Sequence, residues 1–154
     1  MNQKSIVFLL DEKEYAVPVE YVIAIERMQQ ITRVPKTPQY VQGVINLRGV
    51  VTPIIDLRER FGLIKGEETD STRMIIIQYD KFNVGFIVDA AYDVMDIPND
   101  AIEPAPKVIG TEEIDYINGV AKVDQRLIML LQLNKVLSDS SAKNSAETEG
   151  LTQG

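Results

Sequence analysis

The order of short apolar runs in this chain restarts near its middle, and that restart constrains the fold more than any single motif. Adding 69 to each residue number superposes Ile6-Val7-Phe8 on Ile75-Ile76-Ile77, Asp11 on Asp80, and Tyr15-Ala16-Val17 on Val84-Gly85-Phe86. The same shift places Val19-Glu20 on Val88-Asp89 and Ile25 on Val94. Adding 76 superposes Gly43-Val44 on Gly119-Val120, Leu47 on Val123, Ile54-Ile55 on Leu130-Leu131 and Leu57 on Leu133. Few residues are identical, yet the alternation matches without gaps inside each block, and the difference between the shifts is a longer middle loop in the second copy. Apolar runs this short, punctuated by polar turns, are strands rather than helices. Two tandem copies of a small antiparallel barrel account for the pattern, since a barrel closes on itself and leaves no exposed strand edge.

The elements follow from local chemistry. Ser5–Leu10 and Tyr15–Val17 flank the polar turn Asp11-Glu-Lys-Glu14 as a hairpin, and Pro18 suits the first turn of a short helix over Val19–Ile23. Ala24–Met28 and Ile31–Val34 are expected to be short strands, the second ended by Pro35 and Pro38. Val44–Leu47 and Val50–Ile55 form a hairpin around Arg48-Gly49, where glycine supplies the positive φ of a tight turn. Asp56 is placed to cap one or two helical turns over Leu57–Phe61, which Gly62 closes. Leu63–Thr72 is a polar connection. In the second copy Arg73–Tyr79 pairs with Phe82–Val88 across Asp80-Lys81, and Tyr92–Ile97 is a strand. A proline-rich loop over Pro98–Val108 follows, then Ile117–Val123 pairs with Arg126–Leu133, and Asn134–Leu137 forms a short helix. Residues 1–137 are thus expected to form one folded unit, with the second copy beginning near Arg73. Residues 138–154 are too small and polar to offset their ordering entropy and are expected to be a disordered tail.

Composition removes whole classes of function. The chain has 154 residues, no cysteine and no histidine. Disulfides, thiolate or imidazole metal sites and every nucleophile–histidine arrangement are excluded, and neither metal nor cofactor is expected. The net charge of −7 argues against nucleic acid, which demands a basic surface, and against an anionic membrane face. No apolar run approaches the roughly 20 residues of a membrane span, and Met1-Asn-Gln-Lys carries no secretory signal, so a cytoplasmic protein is expected. Asp56 and Asp89 each end an apolar strand and could serve as a carboxylate pair, but no tryptophan is present to form a sugar platform, and capping is the simpler role. Neither Gly62-Leu-Ile-Lys-Gly66 nor Gly110-Thr-Glu-Glu has phosphate-loop spacing, and Glu67-Glu-Thr-Asp70 lacks the pattern of a calcium loop. Function is therefore expected at the surface, through protein contacts. Arg48, Arg58 and Arg60 form the densest basic cluster, and on spacing alone Arg48 is either a solvated turn residue or a projecting donor fork for a partner's carboxylate.

At this hairpin the sequence resembles the CheW family of bacterial chemotaxis coupling proteins. The motif runs Tyr40-Val-Gln-Gly-Val-Ile-Asn-Leu-Arg-Gly-Val-Val-Thr-Pro-Ile-Ile-Asp-Leu57. Further matches are the start (IVFLL…KEYAVPVEYV), Ile31-Thr-Arg-Val-Pro35 with Pro38, Val84-Gly-Phe-Ile-Val-Asp89 with Asp93-Val94, and Ile102-Glu-Pro-Ala-Pro106, covering about residues 5–137. The resemblance implies a mostly β fold: two tandem five-stranded, SH3-like antiparallel barrels, interlocked subdomains of one CheW-like domain on a shared apolar seam, with short helices. It implies a non-enzymatic adaptor, without cofactor, that joins the histidine kinase CheA, through its CheW-like regulatory domain, to the cytoplasmic tips of chemoreceptors. Monomeric when free, such a protein assembles into arrays at the inner face of the membrane. Val34, Pro35, Asn46 and Arg48 match receptor-facing positions. Val22, Ala24, Gln42 and Gly43 match a kinase-docking surface on the first barrel, and Glu103 and Val108 one on the second. Many members carry an acid where this chain has Ala24; Glu26, two positions along the same strand, is the acid that would take its place. A chain of this length has room for neither the kinase's other regions nor a receiver domain, so a free-standing coupler is implied. A coupler of a non-chemotactic receptor–kinase pathway, a small-barrel nucleic-acid binder and a carboxylate hydrolase are the alternatives.

Overall fold

The computed structural model describes residues 2–104 and 115–138. The first copy supplies β1 (Asn2–Leu10), β2 (Lys13–Pro18), β3 (Val22–Arg27), β4 (Val41–Leu47), β5 (Val50–Asp56) and α1 (Leu57–Arg60). The second supplies β6 (Arg73–Tyr79), β7 (Phe82–Val88), β8 (Ala90–Pro98), β9 (Ile102–Glu103), β10 (Ile117–Val123), β11 (Arg126–Leu131) and α2 (Leu133–Val136). The expected helix over Val19–Ile23 is only a 3-10 turn, Val19–Tyr21, because the alternating run from Val22 is drawn into β3 beside β6. The expected strand over Ile31–Val34 reduces to a single bridge between Thr32 and Val44. The proline-rich loop holds a 3-10 turn, Asn99–Ala101, and the short strand β9, which pairs with β10. The far end of that loop, and the polar terminal segment from residue 139, lie outside the described residues.

The duplication is written into the register. Strand β1 pairs with β8 through Ile6↔Val94, and β6 pairs with β3 through Ile75↔Ile25, the same pair shifted by 69. Even the irregularities match: β8 bulges at Tyr92 and β3 at Ile23. The spatial units nevertheless do not coincide with the sequence copies. One sheet has the order β8-β1-β2-β11-β10-β9 and the other β3-β6-β7-β5-β4. Each copy has exchanged its first hairpin with the other, and parallel pairings, β2 with β11 and β5 with β7, tie the exchanged hairpins in place. The two barrels are therefore interlocked through their exchanged first hairpins.

This exchange explains why SIVFLL and RMIIIQY are apolar almost throughout. Val7 faces the interior of its own barrel with Ala16, Ile97, Ala121 and Ile128, while Ile6, Phe8 and Leu10 face the seam. In β6, Met74 and Ile76 face the other barrel's interior, and Ile75 and Ile77 the seam. A strand buried on both faces loses the polar alternation of a one-sided strand. The seam gathers Tyr15, Leu57, Phe61, Phe86, Leu133 and Val136 from both copies into the largest core cluster.

Arg60 sits in that seam, 7% exposed. Its guanidinium lies over the rings of Tyr40 and Tyr116, 4.5 and 4.8 Å from their centres. These tyrosines are counterparts in the duplication, and their carbonyls accept from the counterpart amides of Asp56 and Gln132, each at 2.8 Å. Arg60 Nε donates to the Val136 carbonyl at 2.8 Å, and Nη2 donates to the carbonyls of Lys135 and Ser138. One cation thus binds the unpaired end of α2 to the first copy.

Candidate protein-docking surfaces

The four two-residue hairpin turns among the described residues hold both central residues at positive φ: Asp11-Glu12, Arg48-Gly49, Asp80-Lys81 and Asp124-Gln125. This is the mirror-image turn whose twist suits a hairpin. Three begin with aspartate, which tolerates the left-handed region; the fourth holds Arg48 there at φ 54. Asn46 steadies this tip by accepting the Gly49 amide on Oδ1 at 2.8 Å. The Arg48 side chain is 73% exposed and reaches Glu26, 3.5 Å away. Asn46 and Arg48 therefore stand together at a solvent-facing tip, and Glu26, expected on the kinase side, joins them.

The other expected residues divide differently. The antiparallel bridge at Thr32 and Val44 carries residues 33–35 toward the Gln42 end of β4, away from the Arg48 tip. Val34 and Pro35 thus group with Gln42 rather than with Arg48. The Gln42 amide donates to Glu59 Oε1 at 2.8 Å and its oxygen accepts from Lys65 at 2.7 Å, fastening the connection after α1 to β4. Gly43 is buried, with φ +143, and a Cβ there would meet the Thr32 carbonyl at 2.1 Å. It presents no side chain to a partner; it lets residue 32 close the barrel, as its counterpart Gly119 does against Glu103. Val22, Ala24 and Glu26 lie half-buried along β3, and Glu103 is exposed on β9. Val108 lies outside the described residues.

Exposed apolar residues complete the surface. Ile23 (47% exposed), Ile25 (41%) and Val51 (65%) on one barrel are the counterparts of Tyr92 (53%), Val94 (56%) and Leu127 (60%) on the other. Sequence reading matched Ile25 with Val94 but singled out none of the six as surface residues, although the same shifts pair Ile23 with Tyr92 and Val51 with Leu127.

The arginines and aspartates of the sequence go to separate tasks. Arg58 grips Asp89 with two donors, at 3.0 and 2.6 Å, and Asp89 also accepts the Asp11 amide at 2.9 Å. Burial alone would raise the Asp89 carboxyl; these donors outweigh it and hold it below the ordinary aspartate range. Asp56 accepts the Glu59 amide as the cap of α1, and burial pushes its carboxyl up. Both carboxylates are committed to fold contacts. On the second barrel Arg126 grips Glu14 at 3.0 and 2.8 Å and holds its carboxyl below the usual value. Among the described residues no group of acids is arranged to hold a metal, and no helix is long and apolar enough to cross a membrane.

The acid response follows with its sign. Glu14 and Asp89 have native pKa values below their unfolded ones, so their stabilisation is complete above the carboxylate range and is lost as pH falls through it. Asp56, shifted upward, contributes the opposite slope. With no histidine to titrate near neutrality, melting temperature is expected to be level from about pH 6 to 8 and to fall below about pH 4.5. Calorimetry across pH 3–8 checks this, and Glu14→Gln should shallow the acid limb. A melting temperature unchanged between pH 5 and 3 contradicts it.

Known proteins can now be set beside this geometry. The family model described as CheW-like domain matches residues 4–141. Chemotaxis protein CheW of Bacillus subtilis is 45% identical over 144 residues, 94% of this chain and 92% of that protein. The protein of the same name from Klebsiella aerogenes is 33% identical over 138 residues, 90% of this chain and 83% of the relative. Among solved structures, the scaffolding protein TtCheW from Thermoanaerobacter tengcongensis superposes with a TM-score of 0.83 at 35% identity, over 90% of this chain and 94% of that one. A duplicated pair of interlocked barrels, a family-model match over residues 4–141 and nearly full-length relatives at 33–45% identity converge: the chain belongs to the CheW family.

Proposed function

We propose that this chain is a non-enzymatic chemotaxis scaffold that joins a CheA-type histidine kinase to the cytoplasmic tips of chemoreceptors. The observation that carries the proposal is Arg48. A non-glycine residue in the left-handed region costs roughly 1–2 kcal/mol, and the other three hairpin turns place aspartate at that point. An arginine kept there, mostly exposed and joined only loosely to Glu26, is explained by a partner's carboxylate, which its planar fork binds with two parallel hydrogen bonds. Helical receptor tips rich in glutamate supply such groups. Asn46 and Arg48 form the receptor face, with Val34 and Pro35 at the other end of β4. Val22, Ala24, Glu26 and Gln42 form a kinase face that Gly43 positions, and Glu103 with Val108 a second one. The matched exposed triads favour two docking faces, one per barrel, as an adaptor requires. The protein acts in the cytoplasm, as a monomer when free, and is recruited to receptor arrays at the inner membrane face.

The test is a titration of the full chain with a soluble receptor-tip fragment and with the kinase's regulatory domain, separately and together. A ternary complex containing all three is the expected result. Binding of neither, or of only one partner at a time, refutes the adaptor reading.

A further inference from the structure

The register shared by the two copies carries opposite chemistry at one position. Strand β3 sets Arg27 directly across from Arg73 of β6. Shifted by 69, the same position in the other barrel sets Asp96 of β8 across from Lys4 of β1. Residues directly opposite in an antiparallel pair hold their Cβ atoms about 4.5–5.5 Å apart, so unlike charges attract there and like charges repel. The second barrel carries the favourable pair; the first carries two arginines. Arg27 is exposed and Arg73 half-buried, and among the described residues no acidic side chain comes within ion-pair distance of either. Arg73 is held by the turn that precedes it, where its Nη1 donates to the Asp70 and Thr72 carbonyls at 2.8 Å each. A fixed guanidinium and a projecting one thus lie side by side without a counter-charge, in a chain whose net charge is −7. Exposed Ile25 lies two residues before Arg27 on the same face of β3.

We propose that Arg27 and Arg73 together bind a carboxylate of the kinase's regulatory domain and so select which kinase this chain accepts; this rests on the reading of β3 as part of the kinase face. Two neighbouring guanidinium forks with no internal acid match a carboxylate, which accepts paired hydrogen bonds from such a fork. Their repulsion costs the free chain stability and is relieved when an anion lies between them. Val22, Ala24 and Glu26 precede Arg27 on the same strand, so a partner that covers them reaches the arginine pair, and Ile25 offers an apolar contact beside it. A second copy of this chain is the weaker occupant, because the acid on its matching strand, Asp96, already faces Lys4.

The experiment measures melting and binding on the same variants of the full chain. Arg27→Asp copies the second barrel's charge pattern into the first, and Arg27→Gln removes the charge alone. Melting temperature should rise by about 1–4 °C in Arg27→Asp and by less in Arg27→Gln. Calorimetric titration with the kinase regulatory domain should show binding about 10-fold weaker for Arg27→Asp and about 3-fold weaker for Arg27→Gln, with receptor-tip binding within twofold of the parent. Higher stability with weaker binding is a combination that a merely structural arginine does not give. An unchanged or lower melting temperature in Arg27→Asp overturns the proposal. Parental kinase binding by both variants overturns the site and leaves the kinase reading standing; a parent that does not bind the kinase domain overturns both. Loss of receptor-tip binding instead, or binding of the parent but not the variants to phosphatidylglycerol vesicles, gives the anion another source and overturns the proposal. So does a concentration-dependent dimer abolished by Arg27→Asp.

Discussion

Replacing Arg48 with glutamate should weaken binding of a receptor-tip fragment about 100-fold and leave the fold intact. A hydrogen bond to a charged group contributes roughly 1.5–3 kcal/mol, and reversal adds repulsion to the loss, so about 3 kcal/mol, or two decades in Kd, is expected. Stability changes little because the Arg48–Glu26 contact, at 3.5 Å with one side chain mostly in water, belongs to a class of surface pairs with coupling of about 0.2–1 kcal/mol. Arg48→Asn separates function from fold more sharply. Asparagine tolerates the left-handed region, so about 1 kcal/mol of backbone strain is relieved against loss of the Glu26 contact. Urea unfolding should show a variant as stable as the parent or about 0.5 kcal/mol more stable, yet one that binds the receptor-tip fragment about 10-fold more weakly. Parental affinity in both variants would leave Arg48 as an idle turn residue.

Arg60→Ala should destabilise the fold by about 3 kcal/mol and lower the melting temperature by roughly 10 °C. The substitution strands the buried Val136 carbonyl and takes a donor from the part-buried carbonyls of Lys135 and Ser138, and a buried acceptor left unpaired costs about 1–3 kcal/mol. It removes a cation from between two aromatic faces, a contact of about 1–2 kcal/mol when desolvated, and opens a cavity beside Phe61. The release of a buried charge to water offsets part of this loss. Arg60→Met, which preserves volume, should recover the cavity contribution but not the carbonyls. Arg60→Lys should behave much as Met does, because an ammonium cannot present the planar fork that reaches three carbonyls and a tyrosine hydroxyl at once. A parental melting temperature in Arg60→Ala would show that the barrels hold together without this cation.

Arg60 marks the limit of what the sequence reveals. Arg48, Arg58 and Arg60 look alike as a basic cluster, yet one projects into solvent, one neutralises Asp89 and one is buried. Which of these an arginine does depends on contacts from residues as distant as Ser138, and no local pattern encodes them. Strands were legible because period-two burial is local, as in Val44–Leu47 and Phe82–Val88. The Asp56 cap was legible because capping reaches only three residues ahead. Pairing between the copies was not, since self-similarity shows that β1 and β6 are alike without showing which partner each takes. The Thr32 bridge was overread as a strand for a related reason: its apolar pattern is right, but Gly43 admits the backbone at that one point. At the Arg48 tip, the hairpin turn was legible and the arginine's left-handed backbone was not, because arginine gives no local signal for that conformation.

The exchanged hairpins also set a timetable for synthesis. Every strand of the β3-β6-β7-β5-β4 sheet has been made once residue 88 is in the chain. The hairpin β1–β2 is made before these strands, but its partners β8 and β11 come later, the last of them ending at Leu131. On the ribosome, the earliest apolar hairpin therefore waits, unpaired at both edges, for the final strand to emerge. Such long-range closure is slow, and an exposed apolar hairpin recruits other chains. The segment most in need of a chaperone is thus one that is made well before the strands that cover it.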